Sequence, residues 1–365
     1  MKLKPILILI AAILLLSAAS NLAIAKEGSL IRELSVLDVF HPPEKGDPRS
    51  MLYDEWHYFN IIDEEQNLSF ITTLTLKGDI NDPSKSIAFV LLSYSTPVKE
   101  NLTIDLYPVT MAEWSNRTPA VRISGSYVTL TEKGYSVHVE SNDAQTVFDA
   151  LFKPITDPAP VFNASFKPGR SIYWLVASPR MKVTGTLTVN KGTALEKIYE
   201  LKNVRGYHDH NWGYWLWQDN VGWDWGQASE KKNNLKGDDT GSYSFVFGNT
   251  TDRNHTESHR SVLEIWKNKK IIVRFEDSEM QIRRDIMVNS YPEYPFPMIT
   301  VLDAVSGENK VNIVFTAERF TPIPIPLESG GYRIIWELSG SYEVSGNIDG
   351  KPVSYTTKGF LEYVA

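Results

Sequence analysis

The stretch 126-SYVTLTEKGYSVHVES-141 alternates on both sides of a turn: Thr129 separates Val128 from Leu130, and Ser136 and His138 separate Tyr135, Val137 and Val139. A repeat of two is the period at which a strand buries one face, and Glu132-Lys133-Gly134-Tyr135 supplies the tight turn of a hairpin. The pattern extends in both directions. Residues 69–80 (SFITTLTLKGDI), 87–96 (IAFVLLSYST), 102–109 (LTIDLYPV) and 181–192 (MKVTGTLTVNKG) repeat it. So do residues 242–251 (SYSFVFGNTT), 261–277 (SVLEIWKNKKIIVRFED), 311–320 (VNIVFTAERF) and 332–357 (YRIIWELSGSYEVSGNIDGKPVSYTT). Only 144-AQTVFDALFKPI-155 reads as a short helix. The fold class expected is all-β.

Long antiparallel meanders leave reactive edges unless the sheets close or pack together. The 365 residues divide into two successive antiparallel barrels of about 160 residues each, with bounds expected at 45–205 and 206–365. The Pro-rich stretches 40–48, 156–169 and 290–297 read as loops, too short for a flexible linker, so the two barrels are expected to share an interface. No fixed-period repeat of the solenoid or propeller kind is visible.

The first 25 residues read as an export signal. Lys2 and Lys4 precede an apolar run from Pro5 to Leu16, and Ala23-Ile24-Ala25 offers small residues for cleavage. The competing reading is an uncleaved anchor over residues 5–22 that holds the body at a membrane surface. The chain has no cysteine, so an exported domain of this size is expected to stand without disulfides. Sequons at Asn67, Asn101, Asn116, Asn163, Asn249 and Asn254 read as exposed loop positions if glycosylated. A net charge of −7 without a basic run argues against nucleic acid as partner.

Chemistry-bearing residues concentrate in 206-GYHDHNWGYWLWQDNVGWDWG-226, which holds half of the chain's 10 tryptophans. On a strand, Tyr207, Asp209, Asn211 and Gly213 point one way and His208, His210, Trp212 and Tyr214 the other. Trp215 and Trp217 are expected to meet Trp223 and Trp225 across a hairpin turned by QDNVG, forming an indole wall. A second dense stretch, 53-YDEWHYFNIIDEE-65, alternates Glu55, His57 and Phe59 with Trp56, Tyr58 and Asn60. Burial beside such rings raises the pKa of a carboxylic acid, so Glu55 or Asp209 would hold a proton near neutrality.

Competing readings stay open for each motif. His208-Asp209-His210 is either an acid–base cluster in a cavity or a satisfied polar knot at a barrel junction. The tryptophans either line a cavity for an isoprenoid or lipid tail, stack on sugars, or simply pack. A metal site would need a third ligand beside His208 and His210, and His255 and His259 of HTESH do not supply the pattern of a zinc protease, so none is expected.

Together, DEWHYFN (54–60), GYHDHNWG (206–213) and the closing KGFLEYVA (358–365) resemble the signatures of the carotenoid hydratase (hydroxyneurosporene synthase) family. The resemblance covers residues 45–365. It implies two lipocalin-like (calycin-type) antiparallel β-barrels packed together with few short helices. That family includes enzymes that add water across an isoprenoid double bond, and relatives that cyclise or have no known activity. Its His and Trp fall on His210 and Trp212, with Asp209 beside them. Its Tyr-x-Asp pair falls on Phe247 and Asn249, which exchange no proton, and its terminal Gly-aromatic-x-Glu on 359–362. In a lipocalin-like barrel, Trp56 would plug the closed end.

The resulting expectation is an exported protein that acts on or binds a small lipophilic, isoprenoid-type molecule. Asp209, His210, Glu55 and His208 are the candidate catalytic residues for hydro-lyase or cyclase chemistry without a cofactor. Trp212, Trp215, Trp217, Trp223, Trp225, His57 and Tyr58 are the candidate ligand-binding residues. The alternatives are a non-catalytic lipid or isoprenoid binder of the cell envelope, and a carbohydrate-binding or carbohydrate-active protein using Glu55, Asp219 or Asp224. A retaining glycosidase would need two such carboxylates about 5 Å apart.

Overall fold

A computed structural model describes residues 30–231, 242–289, 294–327 and 329–365; the stretch expected to be an export signal, or an anchor over 5–22, lies outside the described residues. Almost every element is a strand. A first meander contains β1 (Tyr53–Asp63), β2 (Leu68–Gly78), β3 (Ser86–Ser95) and β4 (Glu100–Pro108). A second contains β5 (Ala112–Ser115), β6 (Ala120–Ile123), β7 (Ser126–Thr131), β8 (Gly134–Glu140) and β9 (Val147–Pro154). After β10 (Phe162–Lys167) come the long β11 (Arg170–Val189) and β12 (Lys197–Tyr214). They form one antiparallel sheet in the order β4-β3-β2-β1-β12-β11-β9-β8-β7-β6-β5, with β10 on β11. The sheet curls until β2 and β3 approach β6, giving a nearly closed barrel.

The second sheet takes β13 (Gly222–Ser229), β14 (Tyr243–Thr251), β15 (Ser258–Lys267), β16 (Lys270–Glu276) and β17 (Met280–Val288). It is completed by β18 (Phe296–Ser306), β19 (Asn309–Pro326), β20 (Tyr332–Ile348) and β21 (Lys351–Val364). The order is β16-β15-β14-β13-β21-β20-β19-β18-β17, and its two ends approach each other where β15 meets β17. The α-helix among the described residues is 30–37. It brings Leu30 and Leu34 into the core of the first barrel, and Phe40 follows just after it, ahead of the bound expected at residue 45.

Each sheet has its own apolar core, and a third cluster joins them. Tyr58, Trp174 and Tyr207 of the first sheet meet Trp225, Val246 and Phe360 of the second. Arg333 is fully buried and donates to Trp217 O at 2.9 Å, Ala365 O at 3.1 Å and Val221 O, tying the crossover 215–221 to the second sheet. Burial lowers its pKa to about 9.

Three local expectations are corrected. The segment 144–155 holds β9, not a helix. Phe148, Ala150, Phe152 and Pro154 alternate inward along it. Burying each Phe is worth ~1.5–3 kcal/mol, whereas helix preference differs by at most ~0.7 kcal/mol per residue. Burial wins. The QDNVG hairpin does not form either. β12 is already paired on both edges, by β1 and β11, so β13 has no edge to join and pairs with β14 and β21. Of the sequons, Asn67, Asn116, Asn163 and Asn254 are exposed, but Asn249 is buried in β14.

Candidate functional site

The centre of the first sheet, β1 beside β12, has chemistry on both faces. Register pairs His57 with His210 and Tyr58 with Asp209, so neighbouring residues turn to opposite sides. Gly213 closes the motif because its φ is 155° and a Cβ there would run into Ser171 O.

Facing into the barrel is a polar knot. Asp38 Oδ1 lies 2.9 Å from His210 Nδ1, and Asp38 Oδ2 lies 2.9 Å from His208 Nε2 and accepts from Tyr135 at 2.5 Å. His208 Nδ1 reaches Tyr58 O at 2.9 Å. Glu55 accepts from Tyr53 and from the His41 amide, at 2.9 and 3.0 Å. Its Oε1 lies 3.0 Å from His41 Nδ1 and 2.9 Å from His210 Nε2. His57 stacks on His210 at 4.0 Å. Among the described residues its ring nitrogens have no hydrogen-bond partner.

Burial opposes charge here, and the pairings decide who carries it. Burial would raise Asp38, but the imidazoles of His208, His57 and His210 hold it well below the usual carboxylate range. Glu55 behaves likewise, lowered by His210 and His41 against burial. Burial would lower His210, yet Asp38 and Glu55 push it up to about 9. His57 is driven well down by burial and by the neighbouring His210 charge. Neither His208 nor His210 lines the cavities between the sheets; Phe40 covers His210 at 5.4 Å and Phe59 stacks on His208 at 3.9 Å.

The other face meets the second sheet across a cavity. Its lining includes Trp56, Tyr58, Trp174, Asp209, Trp223, Trp225 and Glu362, and it encloses about 60 Å³. A neighbouring lobe of about 50 Å³ shares Trp56, Tyr58, Trp223 and Glu362, and adds Leu91, Trp217, Ile323, Ile335 and Glu337. Sites that enclose a drug-sized ligand measure ~300–1,000 Å³, so either lobe takes only a small group unless the rings between them move.

Asp209, Asp224 and Glu362 line the first lobe, and Asp54, Glu337 and Glu362 the second. Asp209 Oδ2 accepts from Trp174 Nε1 at 2.8 Å and Tyr207 Oη at 2.7 Å, and Oδ1 from Asn211 Nδ2 at 3.0 Å. Burial outweighs these bonds and pushes Asp209 up to about 6. Glu337 and Glu362 are register partners on β20 and β21, and Trp223 Nε1 donates to Glu362. Burial raises both, and each shares its site with a second carboxyl, so Glu337 stands well above the ordinary range. Carboxyls with raised pKa beside indole rings can deliver a proton to an apolar guest. Beyond Asn249, Asp224 is fully buried and accepts from Asn249 at 3.2 Å and from Arg284 Nε at 2.8 Å.

The structure thus divides the expected site. Tyr58, Asp209, Trp223 and Trp225 line the cavity. Glu55, His57, His208 and His210 belong to the knot, and Trp212 stacks on His41 at 3.9 Å. Trp215 is buried edge-on against Trp56, and Trp217 donates to Asp54 at 3.0 Å in the second lobe. The flat wall of four indoles is absent because the pairs lie on a crossover and a separate sheet; Trp217 and Trp223 alone come within 5.5 Å. Trp56 is no barrel plug: it points between the sheets. Asp219 is bound by Lys167 and Arg170, Asp224 by Arg284 and Glu55 by the knot, so the three carboxylates serve separate structures. His255 and His259 are not helical: His255 is a turn residue at φ 54° and lies 3.3 Å from Asp224.

Reading the sequence missed Asp38, His41, Trp174, Glu337 and Glu362. Glu362 had a signal, the Gly-aromatic-x-Glu ending; Asp38 had none.

No protein-family profile and no curated protein sequence matches the chain. Solved structures do. A protein assigned as AttH from Nitrosomonas europaea superposes with a TM-score of 0.56 at 15% identity, over 89% of this chain and 97% of its own. CghA, solved with Sch210972, gives 0.53 at 13% identity, over 86% of this chain and 88% of its own. Likeness at such identities is one of fold: the chain is an all-β protein with a lipocalin-like barrel.

Proposed function

We propose that this is an exported, two-unit protein that binds a small lipophilic, isoprenoid-type molecule between its sheets and catalyses its acid-assisted hydration or cyclisation. The observation that carries the reading is that buried Glu362, the register partner of Glu337, lines an indole-walled cavity together with Asp209. In the hydration step, protonated Glu362 gives its proton to one alkene carbon, and the neighbouring carbon becomes cationic. The faces of Trp174, Trp223 and Trp225 stabilise that cation by about 2 kcal/mol each when desolvated, a modest part of a catalytic barrier. Water adds to the cation, and the oxonium proton passes to Asp209 or returns to Glu362. In cyclisation a second double bond of the guest attacks instead, and the new cation loses a neighbouring C–H proton to Asp209 or to the Glu362 carboxylate, leaving an alkene. The likeness to the carotenoid hydratase signatures supports this substrate class, and Glu362 falls within the terminal signature.

A second reading, a non-catalytic carrier, is favoured by Phe247. It stands where the resemblance expects a tyrosine and points into the core of the second sheet. Native mass spectrometry of protein from its own host separates the two. An intact co-purifying isoprenoid supports carriage and a hydrated or cyclised one supports catalysis. Glu362→Gln and Asp209→Asn proteins that fold and convert the ligand at the wild-type rate would refute the catalytic reading.

A further inference from the structure

We propose that His41, Glu55 and His210 form a binding site for one divalent first-row transition-metal ion, of which Zn²⁺ best suits the donors. His41 Nδ1 and Glu55 Oε1 are 3.0 Å apart, and His210 Nε2 and Glu55 Oε1 are 2.9 Å apart. All three donor atoms lie within 4.8 Å of one another. Bonds of ~2.0–2.2 Å at tetrahedral angles set ligand atoms ~3.3 Å apart, so small side-chain movements would bring the trio to coordinating distance.

The second observation is an orphan. His210 Nε2 is buried and close to a carboxylate oxygen, yet makes no aligned hydrogen bond. The surrounding shell fits as well. Asp38 Oδ1 sits on His210 Nδ1 at 2.9 Å, which fixes the tautomer that leaves Nε2 free to ligate. Tyr53 holds the other oxygen of Glu55, and Trp212 stacks on His41 at 3.9 Å with planes 7° apart.

Access is from one side. Glu55 and His210 are fully buried, whereas the His41 side chain is 34% exposed, leaving the remaining coordination position to water. The other convergent trio, Asp38, His57 and His210, lacks such a side. Asp38 is already saturated by His208, His210 and Tyr135, and all three members are enclosed. Two imidazoles with one carboxylate and an open position match zinc among the available ions. The competing occupant is a proton: His210 doubly protonated between Asp38 and Glu55 satisfies the same charges.

The test uses tag-free, full-length protein stripped with chelator and checked by circular dichroism for an unchanged fold. Titration calorimetry with Zn²⁺, and visible absorption with Co²⁺, read stoichiometry and geometry. The proposal expects one ion per chain and intense tetrahedral Co²⁺ bands. His41→Ala, at a half-exposed loop position, is expected to weaken Zn²⁺ at least tenfold and abolish those bands. Asp38→Asn, acting through His210, is expected to weaken Zn²⁺ about 10–100-fold. His138→Ala, on a remote surface, leaves both unchanged. No Zn²⁺ binding by the folded stripped protein, or binding that His41→Ala leaves intact, overturns the proposal. These readouts use metal alone, so they stand or fall apart from the lipophilic cavity.

Discussion

Asp209 and His210 are adjacent in the chain and serve opposite sides of one strand. Asp209 accepts from Trp174 at 2.8 Å between the sheets, and His210 pairs with Asp38 at 2.9 Å inside the first barrel. Substitutions at the two positions should therefore separate. Asp38→Asn or His210→Gln removes one partner from a buried charged pair, at a cost of ~3–5 kcal/mol. Asp209→Asn retains acceptor oxygen for Trp174 and Tyr207, so its cost is on the order of 1 kcal/mol, while the acid–base function disappears. Urea midpoints with turnover on the same samples check this; equal destabilisation by Asp209→Asn would contradict the division.

That division was half legible in the sequence. Period-two alternation places Asp209 opposite His208 and His210, as the register with Tyr58 and His57 shows. Which face meets a cavity was hidden, because both faces of β12 are buried there and burial leaves no polar–apolar contrast to read. Asp38 lies 170 residues from His208 and enters the barrel on a short segment without periodicity. Glu337 alternates with Trp336 and Leu338 of the second-sheet core, so it points out of that core, and only the first sheet packed against this face makes it a cavity wall. The indole wall failed for a topological reason: a local hairpin was assumed where both edges of β12 were taken by distant strands.

Gly248 sets the size of the cavity. A Cβ built on it would stand 2.9 Å from Trp174 Cζ3, so Gly248→Ala must displace the ring that positions Asp209. Its backbone is not in the left-handed region, and the cost falls mainly on the cavity. The expectation is at least tenfold weaker binding of a small probe, an isoprene-sized alkene, with an overpacking cost of ~1–3 kcal/mol. Probe titration beside thermal melting measures both; unchanged probe affinity would place the ligand elsewhere.

Glu337 and Glu362 make stability depend on pH in a direction opposite to ordinary salt-bridged acids. Their folded pKa values are raised above the usual 4.5, so the folded state binds more protons than the unfolded state above that pH. Their contribution is whole below pH 4.5 and declines as pH rises through the raised folded values. Glu337→Gln, which keeps a neutral side chain at every pH, should flatten this decline and gain on the wild type as pH increases. Urea unfolding across pH 4.5–8 gives the slopes, and parallel curves for the two proteins would show that the pair titrates normally.

Asp224 gives the reverse dependence. Burial would raise its carboxyl, but bonds with His255 and Arg284 prevail and bring it to about 2, below its ordinary 3.8. A lowered folded pKa means stability that is present in full above pH 3.8 and lost as pH falls through about 2, on the order of 2 kcal/mol. Arg284→Met removes the guanidinium and leaves the buried carboxylate with His255 and Asn249 alone. At pH 6 the variant should be about 3 kcal/mol less stable than wild type, the low end for a broken buried ion pair, because those two partners remain. Near pH 2, where Asp224 is half protonated in the wild type and more fully protonated in the variant, most of that difference should vanish. A gap that stays constant from pH 6 to pH 2 would mean that Arg284 contributes packing rather than charge.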